Sequence, residues 1–177
     1  FKPEYYSFET DNLGHFELLA LKVENPFESK YVQGKELGSG SYGVVFEAID
    51  KEQNKNVAIK KLTAFVPAGP SGTPALVPGI IEAIFQAEVT AMKKFSDLNS
   101  DRFVKFIDAT KDKNHFYIVM ERLEGHVLNT LSFEQPPAVS VIAREMLEAV
   151  KVMHDHDWRH RDIKPDNFVM GLGEHSR

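Results

Sequence analysis

Five polar side chains in this sequence, Lys60, Glu88, Asp162, Lys164 and Asn167, have types and spacings that could do chemistry. Lys60 ends the β-prone run "VAIK". A lysine pointing inward from a strand is costly unless an anion meets it, so its ammonium group reads as a ligand for phosphate oxygens. Lys61 beside it reads as a snorkelling lysine. Strand alternation puts Ala58 on the Lys60 face, where a small apolar residue leaves space for a planar base. Glu88 falls among the apolar positions of a helical segment, from which it could reach Lys60 across the sheet. Alone it is an ordinary surface glutamate; with Lys60 it is a carboxylate that orients an ammonium group. Further on, "HRDIKPDN" supplies Asp162 as a possible base, Lys164 shortly after it, and Asn167 as a neutral oxygen ligand for a hard cation. Pro165 stiffens the loop between them.

A second group is made of glycines. "GSGSYGVV" places Gly38, Gly40 and Gly43 between two β-prone runs. Glycines there let the backbone bend closely over a phosphate and offer it N–H donors, although the same pattern also makes a ligand-free hairpin. The dinucleotide-binding form of G-x-G-x-x-G runs from strand into helix, whereas this one runs from strand to strand, which excludes it. Val45, just past the loop, would roof a bound ring. The run "HDHD" from His154 to Asp157 invites a metal reading. Alternate spacing at a helix end does not converge side chains as i, i+4 pairing does, so these residues read as the approach to the loop that follows.

Such groups need a scaffold, and the composition bounds it. The 177 residues, 42% hydrophobic and 27% charged, suit a soluble globular protein with one full core or two small ones sharing an interface. The formal charge is -5 and the basic residues are scattered, which argues against a nucleic-acid surface. There is no cysteine, so disulfides, thiolate zinc sites and a cysteine nucleophile are excluded. No apolar run reaches the ~20 residues of a membrane helix, and no signal peptide is visible, so the expected location is cytoplasmic or nuclear, with no membrane partner.

The periodicities place the groups on elements. "KYVQGKELGSG", "YGVVFEAID" and "VAIKKL" predict three antiparallel strands, and "RFVKFIDAT" and "HFYIVMER" two more. Between the two sets, the Pro- and Gly-rich stretch from Phe65 to Gly79 reads as a loop or insert. It leads into a helix whose Ile81, Ile84, Phe85, Val89 and Met92 form one buried stripe. From around Gly125 a helical region is expected, with Ile142, Met146, Ala149, Val150 and Met153 along one helix face. The expected fold class is therefore α+β: an antiparallel five-stranded lobe with one main helix over residues 31–124, then the beginning of a helical lobe over 125–177. Residues 1–30 read as an N-terminal extension, in which "HFELLALKVE" alternates enough for an extra strand packed on the sheet or for a partner-binding arm.

The motifs "GSGSYGVV", "VAIK" and "HRDIKPDN", in that order and with Glu88 in a helix between the last two, resemble the signature of eukaryotic-type protein kinases of serine/threonine type. The resemblance runs from about Tyr31 to the end of the chain and implies a protein-kinase-like fold, ATP and Mg2+ as cofactors, and a protein substrate. It implies that Gly38, Gly40 and Gly43 cover the ATP phosphates, that Lys60 contacts the α- and β-phosphates, and that Glu88 pairs with Lys60. It further implies that Asp162 accepts or orients the substrate hydroxyl, Lys164 neutralises the transferring phosphoryl group, and Asn167 holds a magnesium ion. "YIVMERLEG" is similar to the family's gatekeeper and hinge: Met120 limits the back of the pocket, and backbone groups of Glu121 and Leu123 bind adenine. Val45, Ala58 and Val169 would sandwich the base, with His160 and Arg161 as structural supports.

Within the family, "DIKPDNFVMGLG" resembles the casein kinase one group, whereas "GSGSYGVVFEAID" and "VAIKKL" are closer to the cyclin-dependent and mitogen-activated groups. The insert before the helix is longer than the family's usual connection, and His126 or Asn129 stands where an acidic ribose ligand is common. These 177 residues contain no D-F-G, activation segment or A-P-E. The resemblance therefore implies an N-terminal portion whose remaining lobe is supplied in cis or trans, with a kinase-like scaffold or pseudokinase as the alternative. The polypeptide of residues 1–177 alone is expected to transfer no phosphate and to be unstable, its Ile142, Met146 and Met153 face lacking partners. Magnesium-dependent phosphate transfer and thermal unfolding of that polypeptide check this; a cooperative monomeric melt with turnover that Asp162→Asn abolishes would contradict it.

Overall fold

In a computed structural model, residues 8–10, 16–18, 26–40, 43–63, 79–98, 100–130 and 136–171 are described. The elements run in chain order as β1 (Phe8–Thr10), β2 (Phe16–Leu18), α1 (Pro26–Lys30), β3 (Tyr31–Gly40), β4 (Gly43–Asp50), β5 (Lys55–Thr63) and α2 (Ile80–Ser96). They continue with β6 (Phe106–Lys111), β7 (His115–Glu121), β8 (Gly125–Val127), a 3-10 turn at Leu128–Thr130, α3 (Pro136–Asp155), a 3-10 turn at Pro165–Asn167, and β9 (Val169–Gly171). The expected antiparallel sheet is present, with strand order β3-β4-β5-β7-β6.

Because strand side chains alternate, the sheet has two different faces. On one, Leu62, Phe116 and Ile118 pack against Ile81, Phe85 and Val89 of α2, so the helical stripe expected from its spacing is the one that is buried. Ala58, Lys60 and Met120 share this face by alternation, and the register sets Lys60 opposite Val45 on one side and Ile118 on the other. On the opposite face, Phe46, Ala48, Val57, Ile59, Tyr117 and Val119 form a second cluster with Phe27 and Tyr31.

Phe27 lies in the stretch read from sequence as an extension, and it is a core residue. Its ring stacks on Tyr117 at 4.1 Å between centroids and 9° between planes. The short helix α1 that carries it is pinned by Lys30, whose ammonium group donates to the Asp108 carboxylate at 2.9 Å, and by the Lys51 ammonium group, which donates to the Glu28 carbonyl at 2.6 Å. The "HFELLALKVE" strand does form over Phe16–Leu18, but it pairs with β1 in a two-stranded sheet of its own.

Two other expectations change. The region after the hinge opens with a strand, not a helix: β8 pairs with β9 across more than forty residues of sequence. A Cβ at Gly125 would lie 1.9 Å from the Met170 carbonyl oxygen, so this glycine is required by the approach of the two backbones. On α3, Ile142, Met146 and Val150 are half-buried and Ala149 and Met153 buried, while the exposed apolar residues are Val139, Val141 and Leu147. The face expected to lie bare is thus partly covered. Residues 64–78, nearly all of the Pro- and Gly-rich insert, lie outside the described residues; Gly79 enters α2 with φ 90°, a left-handed conformation that favours glycine.

Phe27→Ala is expected to destabilise the protein by about 3–5 kcal/mol, the range for emptying a buried phenylalanine site, in a denaturant titration. At Asp108, burial pushes the carboxyl up, but hydrogen bonds from Lys30, the Ala109 amide and Tyr31 outweigh it and hold the group below its ordinary value. This contribution is present above the unfolded carboxylate range and is lost as pH falls through the lowered folded value. Asp108→Asn should therefore flatten the acid side of the stability profile; an unchanged profile would show that the α1 pin contributes nothing.

Candidate active site

The Lys60 ammonium group meets both carboxylate oxygens of Glu88 at 2.7 Å. The two side chains keep 26% and 27% of their exposure, so the pair sits at the rim of the core and not inside it. Each partner is aimed by its own element. Alternation sends Lys60 off β5 toward α2, and the Ile81–Phe85–Val89 stripe that docks α2 leaves Glu88 beside Val89 and facing the strand.

The glycines divide into two kinds. A Cβ at Gly43 would lie 2.2 Å from the Lys61 carbonyl oxygen, so Gly43 is required by the approach of β4 to β5. At Gly38 and Gly40 a Cβ would meet nothing within 4 Å. Packing does not demand those two glycines, which leaves open space against the backbone for a ligand. Ser41 and Tyr42, at the tip, lie outside the described residues.

Met120, the residue before the last of β7, is half-buried and paired with Ala58 and with Phe106. Beyond it the strand is held twice to Lys105: the Glu121 amide donates to its carbonyl at 3.0 Å, and its own amide donates to the Glu121 carboxylate at 2.7 Å. Sequence reasoning missed this clamp and also Arg122, which donates to the Leu123 carbonyl and approaches Glu47 at 3.9 Å. Lys105 flanks β6 and Arg122 flanks β7, and their contacts depend on which strands meet, which local sequence pattern does not give. Leu123 and Val169 are both exposed, and Val169 pairs with Val127.

The three loop residues come together. Lys164 reaches the Asp162 carboxylate at 3.0 Å, and the Asn167 amide nitrogen donates to the Asp162 carbonyl at 2.7 Å. The Pro165–Asn167 turn makes this possible, since the Asn167 backbone amide closes on the Lys164 carbonyl at 3.0 Å. The Asp162 amide donates to His160 Nδ1 at 3.2 Å, and Arg161 takes φ 65°, a costly conformation for a residue other than glycine. The hydrogen bond from Lys164 holds the Asp162 carboxyl below its usual value, and the same contact raises the Lys164 ammonium group above its own. Asp162 is thus ionised at neutral pH and serves as an acceptor. With its nitrogen engaged, Asn167 offers Oδ1 as one neutral oxygen ligand suited to magnesium. No group of three or more His, Asp or Glu side chains able to hold a metal occurs among the described residues.

The protein kinase domain family matches residues 31–175. The chain belongs to that family. It is 33% identical over 149 residues to Calcium-dependent protein kinase 24 of Arabidopsis thaliana, covering 81% of this chain and 24% of that protein. It is 29% identical over 148 residues to Serine/threonine-protein kinase D of Synechocystis, covering 82% of this chain and 28% of that protein. The chain thus spans about a quarter of the length of either relative. The five-stranded lobe with its single long helix is the small lobe of the kinase fold. Helix α1 precedes the matched residues and yet fills that lobe's second core.

Proposed function

We propose that this chain carries the nucleotide-binding lobe and the catalytic loop of a protein serine/threonine kinase, which transfers the γ-phosphate of ATP to a protein hydroxyl. The observation that carries the reading is the Lys60–Glu88 pair, made at 2.7 Å through both carboxylate oxygens. The register sets Lys60 in one row with Val45 and Gly38, so an ammonium group held by Glu88 would stand on the side of the sheet where the α- and β-phosphates of ATP need it. The open backbone at the two glycines offers N–H donors to the same phosphates.

The base would lie between Val45 and Ala58 above and Val169 below, with Met120 at the back and the Glu121 and Leu123 backbone along its edge. Asp162 would accept the hydrogen bond of the substrate hydroxyl and orient it for attack. Its lowered pKa suits holding the hydroxyl and taking the proton late better than removing it beforehand. Lys164 would offset charge on the transferring phosphoryl group. Asn167 Oδ1 would hold magnesium in part, and the ion would supply the positive charge that the phosphates need during transfer. In this family a second ligand is the aspartate of D-F-G, which is not among these 177 residues, so transfer requires it to be supplied in cis or in trans. The string "DIKPDNFVMGLG" supports a likeness of the catalytic loop to the casein kinase one group, whereas "GSGSYGVVFEAID" and "VAIKKL" are closer to the cyclin-dependent and mitogen-activated groups.

In the natural gene product, Asp162→Asn is expected to lower phosphate transfer by about 10²–10⁴-fold, the share of a positioned acid–base group, while ATP affinity by calorimetry stays at its wild-type value. Lys60→Met should lower both. Wild-type protein that binds ATP with magnesium yet transfers no phosphate would replace the kinase reading with that of a nucleotide-binding scaffold.

A further inference from the structure

We infer that Trp158 is a positioning residue that ties the end of α2, the helix carrying Glu88, to the loop carrying Asp162. The inference deepens the kinase reading and rests on it for its catalytic consequence. Trp158 lies outside the motifs, between the end of α3 and His160.

The hook that aims it is local. The Trp158 amide donates to the Met153 carbonyl at 2.9 Å, the Asp157 amide donates to the His154 carbonyl at 3.0 Å, and Asp157 has φ 58°. This is the helix ending in which one left-handed residue closes the last turn, a place where glycine is usual and aspartate is tolerated. It reverses the chain and turns the indole back toward α2. There its ring meets Phe95 edge-on at 6.1 Å and 84°. Phe95 is buried at 3% exposure, stacks on Phe103 at 4.9 Å, and meets the His156 ring at 6.3 Å.

Charge reinforces the contact. The Lys94 ammonium group lies 5.7 Å from the indole centroid and donates to the His156 carbonyl at 2.7 Å. One lysine thus grips both the indole and the backbone at the end of α3. A second tie, from Arg102 to Glu145 at 2.9 Å, joins the connection after α2 to the body of α3.

The positions in sequence give these contacts their meaning. Phe95 stands two helical turns beyond Glu88, roughly 10 Å along the axis, so a rotation of α2 that lifts Glu88 from Lys60 also drags Phe95 and Lys94 across Trp158. Trp158 lies only a few residues before Asp162, in a segment whose φ values at Asp157 and Arg161 are both left-handed. Only three residues separate Trp158 from Asp162, and the Asp162 amide is tied to His160 Nδ1 at 3.2 Å, so displacement of the indole passes to His160 and Asp162. Trp158 therefore sets the placement of the Lys60–Glu88 pair relative to the catalytic loop without touching either substrate.

The test uses the natural gene product and two kinds of readout. Trp158→Ala should lower phosphate transfer by about 10²-fold, the cost of an ångström-scale misplacement, with ATP affinity unchanged, and Trp158→Phe should recover most of the rate. Hydrogen exchange followed by mass spectrometry should rise in residues 80–96 and 160–168 and stay at wild-type level in 31–50. Lys94→Met should repeat the pattern in weaker form and stands in if the alanine variant does not fold. Wild-type rate and exchange in Trp158→Ala, or exchange raised evenly across the domain, would overturn the assignment, the second by reducing Trp158 to a stabilising side chain. If the wild type transfers no phosphate, the kinase reading fails, but the tie is still decided. Glu88→Gln raises exchange in residues 156–162 if it exists and leaves them unchanged if it does not.

Discussion

Lys60 can hold its ammonium group against the sheet only because Glu88 meets it with both carboxylate oxygens at 2.7 Å. The pair contributes little to stability as such, since each side chain keeps about a quarter of its exposure and partly exposed pairs are screened by water. Its value is directional: it fixes where one positive charge points. For that to happen, β5 must lie inside the sheet with Lys60 on the α2 side, and α2 must dock in the rotation that brings Glu88 over the strand. Leu62, Phe116 and Ile118 on the sheet and Ile81, Phe85 and Val89 on the helix satisfy both demands at once. The hydrophobic contact is non-directional, and the ion pair selects one docking from those it allows.

The same sheet carries a second core on its other face, and residues before the family's domain help to close it. Phe27 stacks on Tyr117, whose neighbours along β7 lead through Ile118 and Val119 to Met120. Lys61, the neighbour of Lys60, lies over the Tyr117 ring at 6.0 Å from its centroid. The strand that carries Met120 is therefore backed by aromatic packing that the N-terminal helix completes. Support for the site comes from behind the sheet as well as from α2.

The motif-bearing parts were legible in the sequence because each rests on local pattern. Alternation in "VAIKKL" places Ala58 and Lys60 on one face, the helical spacing of Ile81, Phe85 and Val89 locates the buried stripe, and "HRDIKPDN" is short enough for Asp162, Lys164 and Asn167 to meet within one loop. What was not legible depends on long-range partners. Helix α1 is five residues long, with no period to detect, and Phe27 becomes a core residue only when β4 and β7 are in place. Strand β8 is three residues long and finds its partner only at Val169–Gly171. Periodicity picks out the Ile142, Met146, Ala149, Val150 and Met153 face of α3, but how far that face is covered depends on tertiary neighbours, which periodicity does not give. The hook at Asp157 and Trp158 was hidden for a different reason, since the left-handed residue that closes it is an aspartate and the usual glycine signal is missing.

The central claim is that Glu88 acts on nucleotide binding only through Lys60. A double-mutant cycle on ATP affinity, measured by calorimetry with magnesium for wild type, Lys60→Met, Glu88→Gln and the double variant, addresses it directly. The account expects strong non-additivity, with a coupling of about 1–3 kcal/mol, as for residues in direct contact, and a double variant that binds no more weakly than Lys60→Met alone. Additive losses would contradict it, because they would mean that the two side chains serve the site independently and that the observed pair is not what aims the lysine.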